Sequence, residues 1–396
     1  MFFFFGMMLL SLYLSGCAGT PVPEPPVKEP FLIKLVPEGY PVFSDDMAID
    51  SLLESLDRVI AHLKQIPPER EFVFGEDRYG ARHLLKSMTH FKVFIQTRPS
   101  GDALNRFIQA HYRVYRSGGS SDPAPVLFTG YFEPEIAGSP VATPRHRYPV
   151  HGRPEDLVLI DPAFFPPEEK NKTHAGRLEG NRVVPYAERR EIVSDPSFAR
   201  KAKPLAWVED PVALFFLHVQ GSGKIVFPGG KFIRAQYDTS NGRPYRSIGK
   251  YLIDQGKIPA PEMSMQAIAG YLKDHPEDMD TVLDYNPSYV FFRQTEDGPL
   301  GCINTILVPG RAIASDKAVF PMPGLAFIET WKPRLDSRGN IEAWVPFSRF
   351  VLNQDTGGAI KGPNRIDVFW GNGPYAEKAA GHMKHKGTLH FLVLEP

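Results

Sequence analysis

Apolar runs of strand length, each closed by Gly, Pro or Asp, dominate the chain beyond residue 125. They read VLFTGYF from Val126, DLVLID from Asp156, ALFFLHVQGSG from Ala213, YVFFR from Tyr289, RFVLNQD from Arg349 and TLHFLVLE from Thr388. Runs this short and this well punctuated predict strands, and a chain built from them is mainly β. The 34 glycines and 39 prolines among 396 residues supply the turns such a fold needs. A few packing helices accompany them. Asp46 to Lys64 carries apolar residues at helical spacing (Ile49, Leu52, Leu53, Leu56, Val59, Ile60, Leu63), and Asp102 to Tyr115, Ser247 to Gln255 and Ser264 to Lys273 show the same period. A chain of this length with 42% hydrophobic residues suits two domains, or one domain carrying a large insertion, and excludes disorder throughout. Lys and Arg number 45 against 45 Asp and Glu, and no basic run with interleaved aromatics occurs, so nucleic acid is excluded as an expected partner. A neutral polymer is compatible with that balance.

The first sixteen residues, Met1 to Gly16, are apolar or small, too few to span a bilayer comfortably, and lead into Leu14-Ser15-Gly16-Cys17. This arrangement resembles a bacterial lipoprotein signal, although the usual basic flank is missing. The resemblance implies cleavage before Cys17 and acylation of its thiol, with Ala18 pointing to the outer membrane and the body facing the periplasm. The alternative is an uncleaved hydrophobic tail. Thr20 to Pro30, TPVPEPPVKEP, holds five prolines in eleven residues and reads as an extended spacer. Cys302, the only other cysteine, then has no disulfide partner and reads as a small buried hydrophobe.

Three aspartates stand in distinctive settings: Asp316 in PGRAIASDKAVFP, Asp355 in NQDTGGAIKG and Asp367 in RIDVFWGNG. Strand parity from Arg365 to Trp370 sets Ile366, Val368 and Trp370 on a core face and Arg365, Asp367 and Phe369 on the other. Gly357 and Gly358 remove side chains where a polymer could approach, as a groove floor requires. Each aspartate taken singly also fits a turn cap or an ion pair, with Arg365 beside Asp367 and Lys361 within reach of Asp355. Tyr131, Phe132, Phe369 and Trp370 could stack on sugar rings, and Gln220 and Ser222 could bond hydroxyl or N-acetyl groups, although most aromatics in such a chain are core. Glu133 is either a further carboxylate of a site or a solvated charge at a strand end. His218, alternating with Phe216, reads as a hydrogen-bonded structural residue. No HxxxH, CxxC or acidic cluster of metal spacing occurs, and neither metal nor cofactor is expected.

The segment DTGGAIKGPNRIDVFWG, from Asp355 to Gly371, closely resembles the C-terminal signature of the membrane-bound lytic murein transglycosylase A family. GYFEP at Gly130, HVQGSG at His218, YRSIGKYLIDQGKIP at Tyr245, MSMQAI at Met263 and NPSYVFF at Asn286 follow the family in order. The resemblance implies a double-psi β-barrel made from both chain ends, residues 38–136 and 298–396, with a second β-rich domain, 137–297, inserted and a substrate groove between them. Residues 1–16 would be the signal and 17–37 the lipidated cysteine and linker. It further implies cleavage of peptidoglycan glycan strands, with Asp316, Asp355 and Asp367 as the family's three aspartates and Asp367 as the catalytic acid; Asp355 and Asp316 then read as supporting carboxylates, and Tyr131, Gln220, Ser222 and Gly358 are read from their own chemistry as facing the substrate.

The implied reaction breaks the β-1,4 bond between N-acetylmuramic acid and N-acetylglucosamine. One carboxylate suffices if the muramic C6 hydroxyl, already held close, attacks C1 and closes a 1,6-anhydro ring. Two other readings stay open. An inverting hydrolase would use Asp355 or Asp316 to activate water, and a wall-binding lipoprotein would keep the groove without turnover.

Overall fold

The computed structural model describes residues 31–118, 125–165 and 174–396. The signal, Cys17 and the Thr20 to Pro30 spacer lie outside the described residues. The linker expected to run to residue 37 ends sooner. Leu32–Lys34 is a strand paired with Tyr112–Ser117, and Leu32 is buried.

Eight strands from the two ends of the described chain form one sheet, in the order Leu32–Lys34, Tyr112–Ser117, His385–Leu394, Gly324–Leu335, Ile341–Asp355, Ala312–Ala314, Arg365–Phe369, Val126–Tyr131. Pairing of His385, Lys386 and Gly387 with Phe128, Leu127 and Val126 closes the last six into a barrel, which leaves none of those strands as a free edge along its full length. Two of the contacts are parallel, Ala312–Ala314 with Ile341–Asp355 and Arg365–Phe369 with Val126–Tyr131.

Helices Ile49–Leu63, Ala81–Gln96 and Gly101–His111 cover one side of this sheet. Leu52, Leu56, Val59, Ile60 and Leu63 from the first, and Leu84, Met88, Phe91 and Ile95 from the second, join Phe327, Phe350, Leu389 and Phe391 in a single core. Burial of each such large side chain contributes roughly 1.5–3 kcal/mol. Arg311, wholly buried, locks the segment ahead of these helices to the barrel. Its guanidinium donates to both carboxylate oxygens of Asp45 at 2.6 and 2.9 Å, to Ser51 Oγ and to the carbonyl oxygens of Phe350 and Ala48.

A second, six-stranded sheet runs in the order Val290–Thr295, Phe232–Ser240, Ser222–Val226, Glu135–Ser139, Pro204–Val208, Tyr148–His151. Its first strand starts at Glu135, so the chain crosses from barrel to second sheet at residues 132–134, earlier than the expected boundary at 137.

The run from Ala213 departs from expectation. It forms a helix, Pro211–Gln220, followed by the strand Ser222–Val226. Asp210 caps its start by accepting from the Val212 amide at 2.8 Å, Pro211 occupies the first turn, and Gly221 ends it at φ +79. The helix is apolar nearly all round because it is buried on two sides. Leu214 and Leu217 pack on the sheet, while Val212 and Phe215 pack against helices Ile248–Asp254, Met265–Asp274 and Met279–Asp284. His218 is therefore helical, and it is structural as expected: Arg189 Nη1 lies 3.0 Å from its Nδ1, and burial holds its pKa well below the usual imidazole range. The predicted helix ending at Tyr115 stops at His111, and Tyr112 begins a strand.

Candidate active site

The three-residue strand Ala312–Ala314 is the spacer on which the site is built. Ala314 is the register partner of Asp355 on one side and of Asp367 on the other. Register partners share a face, so the two carboxylates emerge on the same side of the wall with one methyl group between them. Two strand spacings set their backbones about 9–10 Å apart.

Asp367 follows the expected parity. Ile366, Val368 and Trp370 are buried in the main core, and Asp367 stands on the opposite face with 14% of its side chain exposed. Phe369 on that face is buried too, in a small cluster with Tyr131, Leu307 and Ala312. The expected ion pair with Arg365 forms, Nε to Oδ1 at 3.1 Å and Nη2 to Oδ2 at 3.3 Å. Thr129, register partner of Asp367 on the neighbouring parallel strand, donates its hydroxyl to Oδ1. Burial nonetheless dominates, and it raises the Asp367 pKa above the ordinary carboxylate value against the pull of Arg365 and Thr129.

Asp355 ends the strand Ile341–Asp355 and accepts three hydrogen bonds. They come from Tyr131 Oη to Oδ2 at 2.8 Å, and from the amides of Cys302 and Thr356 to Oδ1 at 3.0 and 2.8 Å. Lys361 is not its partner. Burial, with help from the charge on Asp367, pushes the Asp355 pKa up to about 6 even so. Cys302, expected to be a buried hydrophobe, is exposed, and what it brings to the site is its backbone amide.

Asp316 lies just beyond Ala314 without joining the pair. At 9% exposure it accepts from the Ala318 amide at 3.0 Å and from the Gly362 amide at 2.9 Å, a turn cap that also fastens the loop 356–364. Gly358 sits on that loop, exposed and with open space where a side chain would stand.

The residues expected to meet substrate divide. Tyr131 sits against Asp355, its ring 5.1 Å from Phe369. Gln220 has both ends of its amide engaged, Oε1 accepting from the Phe132 amide at 3.0 Å and Nε2 donating to Met265 Sδ at 3.2 Å, and so pins the crossing between barrel and second sheet. Ser222 is buried in its strand. Glu133 is neither solvated nor part of the carboxylate pair. It is 1% exposed, bonded to Arg234 Nη1 at 2.5 Å and to Asn372 Nδ2 at 3.4 Å, and so ties the second sheet to the barrel. Thr129 and Tyr245 escaped the sequence reading. Tyr245 reaches the site from the inserted segment, and its hydroxyl, raised in pKa by burial, lies in the fields of Arg365 and Asp367. Thr129 was legible in the sequence: with Tyr131 it alternates opposite Val126 and Phe128 in the run VLFTGY.

Residues 127–293 match the MltA specific insert domain, and residues 311–393 match the 3D domain. Over 302 residues, 76% of this chain and 74% of the relative, the sequence is 30% identical to the membrane-bound lytic murein transglycosylase A of Escherichia coli strain K12. The chain belongs to the membrane-bound lytic murein transglycosylase A family. Its structure is similar to that of the membrane-bound lytic murein transglycosylase from Agrobacterium tumefaciens, with a TM-score of 0.75 and 29% identity over 92% of this chain and 97% of that one. MltA from Neisseria gonorrhoeae is similar at a TM-score of 0.64 and 28% identity, covering 92% of this chain and 91% of that one. The insert-domain match contains five strands of the second sheet, from Glu135–Ser139 to Phe232–Ser240, and the sixth, Val290–Thr295, as far as Arg293, and the 3D match contains Asp316, Asp355 and Asp367. The carboxylate pair thus falls within the barrel part of the family's architecture.

Proposed function

We propose that this protein is a lytic transglycosylase of peptidoglycan, and that Asp367 carries the reaction. The observation behind that assignment is the asymmetry of the two carboxylates. Both are partly exposed and driven toward the protonated form by burial, but Asp355 accepts from two backbone amides and Tyr131 at the end of its strand, whereas Asp367 is held only by the side chains of Arg365 and Thr129, which can turn from it toward a substrate. Asp367 in its acid form protonates the oxygen between N-acetylmuramic acid and N-acetylglucosamine as that bond to C1 breaks and oxocarbenium character develops. The carboxylate left behind takes the proton of the muramic C6 hydroxyl, whose oxygen bonds to C1. The cycle ends with a 1,6-anhydro ring, a restored acid and no water consumed.

Asp355 acts in support. Closure of the anhydro ring uses the muramic C6 hydroxyl as nucleophile, so no second catalytic carboxylate is required. Tyr131 and the amides of Cys302 and Thr356 hold the orientation of Asp355. Tyr131, Tyr245, Gly358 and the second sheet line the approach of the glycan. The chain divides for this purpose into a barrel from its two ends and an insert between, the crossings clamped by Glu133, Arg234 and Gln220. Acylation at Cys17, with the proline spacer, anchors the enzyme to the outer membrane facing the periplasm, in keeping with relatives named membrane-bound.

Incubation with purified sacculi and mass spectrometry of the soluble products tests the reaction. Muropeptides one water lighter than hydrolysis products, resistant to borohydride, are expected from the parent and are lost in Asp367→Asn by about 10²–10⁴-fold. Reducible ends would replace the proposal with an inverting hydrolase, and absence of any product with retained binding would replace it with a wall-binding lipoprotein.

A further inference from the structure

The hairpin of Gly324–Leu335 and Ile341–Asp355 runs well beyond its neighbours. His385–Leu394 pairs with it only from Leu325 to Glu329, and then turns away to close the barrel against Val126–Tyr131. The divergence opens a recess of about 400 Å³ between the strands, lined by Thr330, Trp331, Pro346, Phe347, Lys386 and Gly387 among others. Trp331 is 40% exposed there, and the half-buried Trp344 packs against His385 with ring centroids 4.1 Å apart. Trp331 and Pro346 are register partners, as are Pro333 and Trp344, so the four occupy one face of the hairpin. Thr330 and its register partner Phe347 belong to the other face of the hairpin, where Thr330 is buried. Pro346 and Asp355 are nine residues apart on one strand, about 30 Å of extended chain, which removes this recess from the carboxylate pair.

The geometry points to a second binding site for glycan here, one that takes N-acetylated β-1,4 sugar units of a strand remote from the bond being cut. This rests on the peptidoglycan reading above. An exposed indole offers a flat apolar face to the C–H face of a sugar ring, and the exposed Lys386 supplies a cation for a muramic side-chain carboxylate. A peptide adding itself as a strand fits less well, because Pro333 lacks an amide on the open stretch and its carbonyl already accepts from Tyr375 Oη at 3.1 Å. A polymer held at two points also engages the enzyme more tightly than either point alone can.

The test uses the full chain silenced by Asp367→Asn, sedimented with sacculi at graded concentrations, with and without Trp331→Ala, together with chitotetraose titrated against tryptophan fluorescence. Trp331→Ala is expected to weaken sedimentation about five- to tenfold and to remove part of the fluorescence change, with Trp331→Phe recovering most of the sedimentation. If the parent releases anhydro products while Trp331→Ala sediments as the silenced parent does, the second site is wrong and the catalytic reading stands. Loss of sedimentation with no chitotetraose response at Trp331 would assign the recess to peptide and also overturn the proposal. A parent that neither cuts nor binds sacculi would remove both readings together.

Discussion

Replacing Asp355 with Asn should make the protein more stable at neutral pH while it damages catalysis. The Asp355 carboxyl has a pKa of about 6 in the folded chain, against about 3.9 in an unfolded one. Between those values the folded state binds a proton that the unfolded state has released, so the contribution of this group to stability falls as pH rises through the window. Above pH 6 the whole penalty is present, about two units or roughly 3 kcal/mol. Below pH 4 both states are protonated and almost none remains. Asn mimics the neutral acid: its oxygen can accept from the Cys302 and Thr356 amides, and the Tyr131 hydroxyl can turn to accept from its amino group. Urea denaturation should then show Asp355→Asn about 2–3 kcal/mol more stable than the parent at pH 7.5 and within about 1 kcal/mol of it at pH 4. A variant that is equally stable or weaker at pH 7.5, or whose advantage does not depend on pH, would refute the claim that burial strains this carboxylate. Turnover of sacculi should fall in the same variant, as expected where a site trades stability for charge placement.

Two further outcomes are expected. Arg311→Met strands Asp45 beneath the N-terminal helices and should cost about 3–5 kcal/mol in urea denaturation, most of it recovered by adding Asp45→Leu; a single variant within 1 kcal/mol of the parent would contradict the role given to this pair. His151, bonded to Tyr289 Oη at 2.9 Å and held by burial at a pKa of about 4, contributes stability that is complete above pH 6.5 and is lost as pH falls toward 4. Hydrogen exchange at pH 5 should accordingly show the second sheet weakened by at least about 2 kcal/mol relative to pH 7, and His151→Gln should reduce that dependence by about 2 kcal/mol, with the buried His218 carrying what remains.

What the sequence disclosed follows from the range of its signals. The alternation around Asp367 is local, and it placed that side chain on the correct face; the Arg365 pair follows from the same two-residue period. The apposition of Asp355 and Asp367 is not local. It depends on the three residues Ala312–Ala314 pairing with both strands at once, and no spacing along the chain encodes that register. Pro211–Gln220 was misread because a helix buried on two sides loses its amphipathic period, although Asp210, Pro211 and Gly221 marked its ends. Ala81–Gln96 does carry the period, at Ala81, Leu84, Met88, Phe91 and Ile95, and went unread among the more prominent strands. Gly373–His382 buries mainly Ala376, Ala379 and Ala380, whose small side chains give little contrast to read. Glu133 and Arg234 are 101 residues apart, and only the fold reveals that the charge in GYFEP is paired rather than solvated.

The strand that closes the barrel, His385–Leu394, emerges from synthesis after every other strand it joins. Until it arrives, Gly324–Leu335, Val126–Tyr131 and Tyr112–Ser117 each lack a neighbour, and the wall that bears the two aspartates stays open. Such long-range pairing comes late in folding. The register that brings Asp355 and Asp367 onto one wall is therefore complete only once the chain through residue 394 has been made.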